Sequence, residues 1–391
     1  DYNVALGFQA LKSITTASNN TAVGHEALEN NTAANNVAVG YEALTANTSG
    51  SSNVAVGYQA LVANTTGDGN IAFGLHALKS NTEANNNTAL GYASQRETTT
   101  GERNTSLGSE SLRNNTTGEY GVAIGYAALN DNTTGSSNVA IGMNALETNT
   151  TGSNSTAIGY QALQDSSSGY NNTAVGKEAL QKLTSGINCV AVGRDALRLL
   201  TTGSSNTAVG VDCLEQQTTA SQNTAVGFEA GKNTTTGYNN VFVGENAATS
   251  NTTGHHNTAL GRLALNLNVS GVQNTAVGAE ALQKNTSSNN VAVGHHALEE
   301  NTSGANNVAI GVRALDDNTT AANNTAVGHE ALTANTTGTQ NTAVGGLALD
   351  ASNANNNNAF GYAALSANTS GATNCAFGVR ALEDNTSASN N

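Results

Sequence analysis

Residues 53–69 read NVAVGYQALVANTTGDG, and this sentence of seventeen residues recurs with small changes along the whole chain. Its glycine, Gly57, has counterparts running from Gly7 to Gly378, 23 in all. They are spaced by 17 residues except for steps of 16 from Gly24 to Gly40, Gly278 to Gly294 and Gly345 to Gly361. A period held this strictly means one structural unit per repeat, each stacked on its neighbours. The 391 residues therefore read as a single repeat array, 1–391, and the start and finish in mid-pattern suggest a segment of a longer fibre protein.

Around each glycine the columns are nearly constant. The residue before it is always apolar, as in Val56; two before stands alanine, broken by Ser106 and Phe242; three before stands Val, Ile or Thr, broken by Asn358 and Cys375. Four before stands Asn, except at Gly121, Ser155 and Cys189. A short β-branched run bounded by Asn and Gly is a strand signal. After the glycine come two variable residues and then the pair Ala-Leu, whose leucine is replaced at Gln95, Gly231 and Ala248. Four or five residues are too few for a stable helix, so a second short strand or an extended bend is the preferred reading there, with a single helical turn as the alternative. The unit closes with NTTG or NTSG, rich in turn formers, and the 16-residue steps lose their residue in this corner.

These columns predict an all-β fold, a parallel β-solenoid or β-roll of about 23 coils with two short strands per coil. At about 4.8 Å per coil the array would extend roughly 110 Å. Asparagines at the strand head, Asn53, Asn70, Asn138, Asn206, Asn274 and Asn341 among them, are expected to form a structural ladder that passes amide hydrogen bonds from coil to coil. Alternation along the strand places positions one and three before the glycine on one face. The core is accordingly expected at Val56 and Leu61, Ile141 and Leu146, Val209 and Leu282, with the alanine column on the opposite face, available for oligomer packing. The glycine is expected to take a conformation barred to other residues and to turn the chain out of the strand.

Composition narrows the function. No Pro or Trp, 4% aromatic residues and 42 Gly leave material for a thin core only. The formal net charge is -14 and Lys and Arg do not cluster, which argues against nucleic acid as a partner. No run of 18 apolar residues and no charged leader before an apolar stretch is present, so no membrane insertion is expected. Cys189, Cys213 and Cys375 occupy three different positions of the repeat and read as small apolar fillers. No catalytic, cofactor or metal constellation is legible: the doublets His255/His256 and His295/His296 lack the spacing of a zinc site, and neither a phosphate loop nor a calcium-binding roll motif occurs. The chain is therefore expected not to be an enzyme and to need no cofactor.

One chemical signal repeats. Acceptor sequons for N-glycosylation recur in one column at Asn47, Asn64, Asn115, Asn132, Asn149, Asn251, Asn268, Asn285, Asn301, Asn318, Asn335, Asn368 and Asn385, while further matches such as Asn114 and Asn171 fall in other columns and weaken the glycan reading. They read either as glycan sites on surface loops or simply as good turns, and the turn reading is preferred.

The segments NVAVGYEAL (36–44) and NVAIGMNAL (138–146) resemble the SVAIG-type head repeats of trimeric autotransporter adhesins and the related NTAVG arrays of phage-type tail fibre proteins. The resemblance covers the whole chain, although the unit here is longer than is common in that family, the excess lying in the NTTG corner. It implies a β-roll assembled as a homotrimer, an extracellular or cell- or virion-surface location, and a surface offered to a cell-surface or glycan receptor. The function expected is a structural or adhesive fibre segment, shaft or head, whose first partner is itself, as a homotrimer or an end-to-end filament. The alternative is a solenoid binding module presenting Thr and Asn arrays to ice or glycans.

Overall fold

The computed structural model describes residues 2–391. These fall into two compact units, Asp1–Asp195 and Ala196–Asn391, each a parallel β-solenoid. The first carries twelve strands, from β1 (Val4–Leu6) to β12 (Val190–Val192), and the second eleven, from β13 (Thr207–Val209) to β23 (Cys375–Phe377). Every strand is the three residues before a repeat glycine, and no helix occurs among the described residues. Within each unit consecutive strands pair in parallel and in register, so that Ala140 lies beside Ala157 and Ala157 beside Ala174.

The chain leaves the strand through the glycine. Gly142 has φ +134°, and a Cβ built on it would lie 2.5 Å from the carbonyl oxygen of Gly159 in the next coil. Any side chain would collide with backbone, which accounts for a column without exception.

The expected second strand is absent. Tyr58–Ala63 instead forms two linked turns, closed by Ala60 N–H donating to Gly57 O (3.4 Å) and Asn64 N–H to Leu61 O (3.1 Å). Coil-to-coil bonds persist there: Gln59 N–H donates to Tyr41 O and Leu61 N–H to Ala77 O. The reason lies in the pair Ala60-Leu61. Both side chains are fully buried, whereas successive residues of an extended strand point to opposite faces. The chain points both inward by placing Leu61 in the left-handed region, φ +52°, with Gln59 also at +52°. The same conformation excludes the helical turn. A left-handed residue with a side chain costs about 1–2 kcal/mol, and burying a leucine returns about 1.5–3 kcal/mol. The turn side is thus held by its inter-coil hydrogen bonds as much as by its core.

Burial also reverses the expected faces. Ala55, Ala60 and Leu61 are inside, while Val56, Ile141 and Val209, expected in the core, lie on the outer face, half-buried or exposed. Leu61, Leu146 and Leu282 are buried as expected. The interior between strand and turns already holds a leucine and two asparagines per coil, and only a methyl group fits opposite them. The alanine column is therefore core and offers no surface for oligomer packing.

Where the core columns change, they change together. Gly231 stands at a leucine position, and a Cβ added there would lie 2.6 Å from Cδ2 of Phe242, the one aromatic residue in the alanine column. Ala248, the leucine position of Phe242's own coil, is also cut back, so one ring replaces two leucines. A second group is polar. Gln95 Nε2 donates to Ser106 Oγ and to Thr88 O, both at 2.9 Å, and Ser106 Oγ lies 2.5 Å from Ser94 Oγ. Serine at an alanine position thus receives the glutamine at a leucine position.

The asparagine ladder is present and serves the backbone. Asn53 Nδ2 donates to Gly67 O in the corner that ends its own repeat (2.8 Å), and its Oδ1 accepts from the backbone N–H of Asn70 at the head of the next (2.8 Å). Asn70, Asn138, Asn206, Asn274 and Asn341 repeat this donation to a corner carbonyl. Passage of hydrogen bonds from amide to amide, expected in this column, occurs instead in the corner column: Asn64 Nδ2 donates to Asn47 Oδ1 at 2.8 Å. Both columns are buried, and they converge on one corner carbonyl that the thin core would otherwise leave unpaired, as at Gly67 O, which accepts from both Asn53 and Asn64.

Candidate interaction face

The corner sequons do not lie on the surface. Asn47, Asn64, Asn115, Asn132, Asn149, Asn251, Asn268, Asn285, Asn301, Asn318, Asn335 and Asn368 are buried, with at most 2% exposure. Asn149 is representative: its Nδ2 donates to Asn132 Oδ1 (2.7 Å) and to Gly152 O (3.0 Å), so both amide protons are engaged. Asn385 is half-buried and makes the same bond to Ala388 O (3.1 Å). The glycosylation reading is thereby corrected. The amide nitrogen that would carry a sugar closes the turn, and the threonines beside it are what face outward. The corner Thr hydroxyls also bind the fold, as when Thr65 Oγ1 donates to Thr82 O (3.0 Å).

The strand face is the surface that the fold leaves open. Its two outward columns, three and one before the glycine, contain Val, Ile, Leu, Phe and Thr with Asn358 and Cys375, and no charged residue. Ile71, Phe73, Leu90, Leu107, Ile158 and Ile310 are exposed, Phe73 at 52%. Large apolar side chains in water, aligned by register, make this face a candidate interaction surface. Next to the glycine a ring column follows: Phe8, His25, Tyr41 and Tyr58 stack at 5.1, 5.0 and 5.2 Å between centroids. The threonine column does not run on unbroken. Threonines on neighbouring strands occur in twos, such as Thr88 with Thr105 and Thr156 with Thr173, separated by Val or Ile. On the strand face the Thr array of the alternative reading reduces to these short pairs, and the longer threonine column, from Thr48 through Thr65 to Thr150, lies in the corner with its hydroxyls donating to carbonyls of the next coil.

Charge is confined to the turns and corners, where column neighbours pair. Arg198 meets Glu215 at 2.6 Å, and Lys232 meets Glu229 at 2.8 Å and Asp212 at 3.2 Å. The hydrogen bond to Glu229 is the main reason that the Lys232 ammonium is held above the ordinary lysine range. Residues seventeen apart become neighbours here, which no local motif announces. By the same rule the two histidine doublets, which read as scattered surface residues, acquire acidic or aromatic partners: Tyr238 stacks on His255 at 4.7 Å, and His296 lies among Glu280 and Glu299.

Burial pushes the Cys213 thiol up to about 12. Cys189 is likewise buried and Cys375 exposed. No helix among the described residues is long and apolar enough to cross a membrane. Comparison with protein-family models and with curated proteins found no match to this chain.

Proposed function

We propose that this chain is a structural or adhesive segment of an extracellular fibre, displayed at a cell or virion surface, whose strand face packs against other copies of itself. The observation that carries the reading is the charge-free outward sheet face with its aligned Val, Ile, Leu and Phe side chains. The two outward columns suit a repeating, self-complementary contact, because each coil offers the same pair of positions as the last. The resemblance to adhesin head repeats and tail fibres supports three-chain assembly and an adhesive role toward a cell-surface or glycan receptor.

Light scattering or mass photometry across concentration tests the contact. The expected result is a trimer that dissociates when Ile141→Lys and Ile158→Lys place two charges on adjacent coils of the face. A monomer at every concentration would overturn self-association, and electron micrographs showing compact globules would overturn the fibre.

A further inference from the structure

We propose that Glu280, His296 and Glu299 form a binding site for a divalent transition-metal ion of the zinc type. Glu280 and His296 are successive members of one column, each two residues after its glycine, and Glu299 lies one turn along the coil of His296. His296 Nδ1 is 3.6 Å from Glu280 Oε2 and hydrogen-bonds Glu299 Oε2, and one donor atom from each of the three lies within 4.8 Å of the others. A tetrahedral zinc ion with bonds of about 2.0–2.2 Å sets its ligands roughly 3.4 Å apart, so the three atoms reach it with small side-chain adjustments.

The surroundings fit a cation. His295 packs edge-on against His296 with ring centroids 3.8 Å apart, and both line a surface cavity of about 280 Å³ with Glu299, Arg313 and Asp316. The fourth position is left to water. The two arginines nearby already have partners: Arg262 pairs with Glu280 through Oε1, leaving Oε2 toward His296, and Arg313 pairs with Asp316 at 2.9 Å. Carboxylates still predominate. Asp317 is held above the usual carboxylate range by desolvation and then by the neighbouring charge of Asp316. The imidazole nitrogen and the mixed donor set select zinc-type ions over calcium, which takes oxygen ligands.

Zinc titration of the full chain by calorimetry tests the site, with His296→Ala, Glu299→Gln and His255→Ala compared with the wild type and hydrogen exchange confirming the fold of each. The expected result is one ion per chain at neutral pH, with affinity reduced about tenfold or more by His296→Ala and by Glu299→Gln and unchanged by His255→Ala. Binding that weakens as pH falls, because the imidazole must be neutral to ligate, is also expected. No binding by the wild type, or binding abolished by His255→Ala and untouched by His296→Ala, would overturn the proposal.

Discussion

Phe242 and Gly231 give the sharpest test of how the core is filled. Replacing Phe242 with Ala removes a fully buried ring at a place where both flanking leucine positions are already cut back to Gly231 and Ala248. The cavity cannot be closed by neighbours, and the expected cost is about 3–5 kcal/mol. Gly231→Leu alone drives a side chain into Phe242 Cδ2 and Leu214 Cδ2, which lie 2.6 and 2.8 Å from its Cβ position, at a cost of about 1–3 kcal/mol or more. Combined with Phe242→Ala, the same leucine fills the space that the ring vacated and restores the Ala and Leu arrangement of the other coils. The pair is then expected to cost about 3 kcal/mol less than the sum of the singles, and Ala248→Leu recovers still more. Hydrogen exchange resolved along the second unit is the suitable assay, since a stacked array opens coil by coil rather than in one step. Additivity within about 0.5 kcal/mol would show that the ring does not occupy the leucine space, and the account of paired core columns would fail.

Three further outcomes follow from the coil. Gly142→Ala should open its own and the adjoining coil by about 3 kcal/mol or more, through a disfavoured φ and a backbone clash, seen as lost amide protection around Gly142 and Gly159. Asn149→Ala should cost about 1–3 kcal/mol by leaving Asn132 Oδ1 unpaired, while Asn138 keeps Gly152 O satisfied, and peptide mapping of folded protein from a glycosylating host should find no glycan on the buried corner asparagines, since their amides are engaged. A thiol reagent should modify Cys375 quickly in the folded chain and reach Cys213 only on denaturation; rapid native labelling of Cys213 would contradict its burial.

How much of this was legible in the sequence depends on the column. Gly57 and Asn53 could be read because their chemistry is unusual: no other residue fits the glycine site, and a nearly constant asparagine has to bind something. Leu61 could be read from its bulk. The orientation of Ala55 and Val56 could not, because alternation says which residues share a face and not which face is inside; hydrophobicity chose valine, while the narrow interior admits only alanine. The signal that decides it is Phe242 with Gly231, a large residue in one column matched by the smallest in another, which happens only when both columns share the same space. The turn side was misread because a leucine at positive φ leaves no trace in composition. The grouping of Glu280 with His296 and Glu299 was hidden for a different reason: the period of the coil brings Glu280 to His296 across sixteen residues, which no local motif marks.

The paired exceptions in the core have one more consequence. A chain whose repeats are interchangeable can fold one repeat out of step and still satisfy nearly every glycine, asparagine and leucine contact, so uniformity by itself does not select one alignment. Displaced by a single coil, Phe242 would meet Leu214 where it now meets Gly231, and Gln95 would lose the serine that receives it. These few mismatches work as keys, each accepting its partner at only one setting. A chain built to be monotonous thereby keeps count of its own turns.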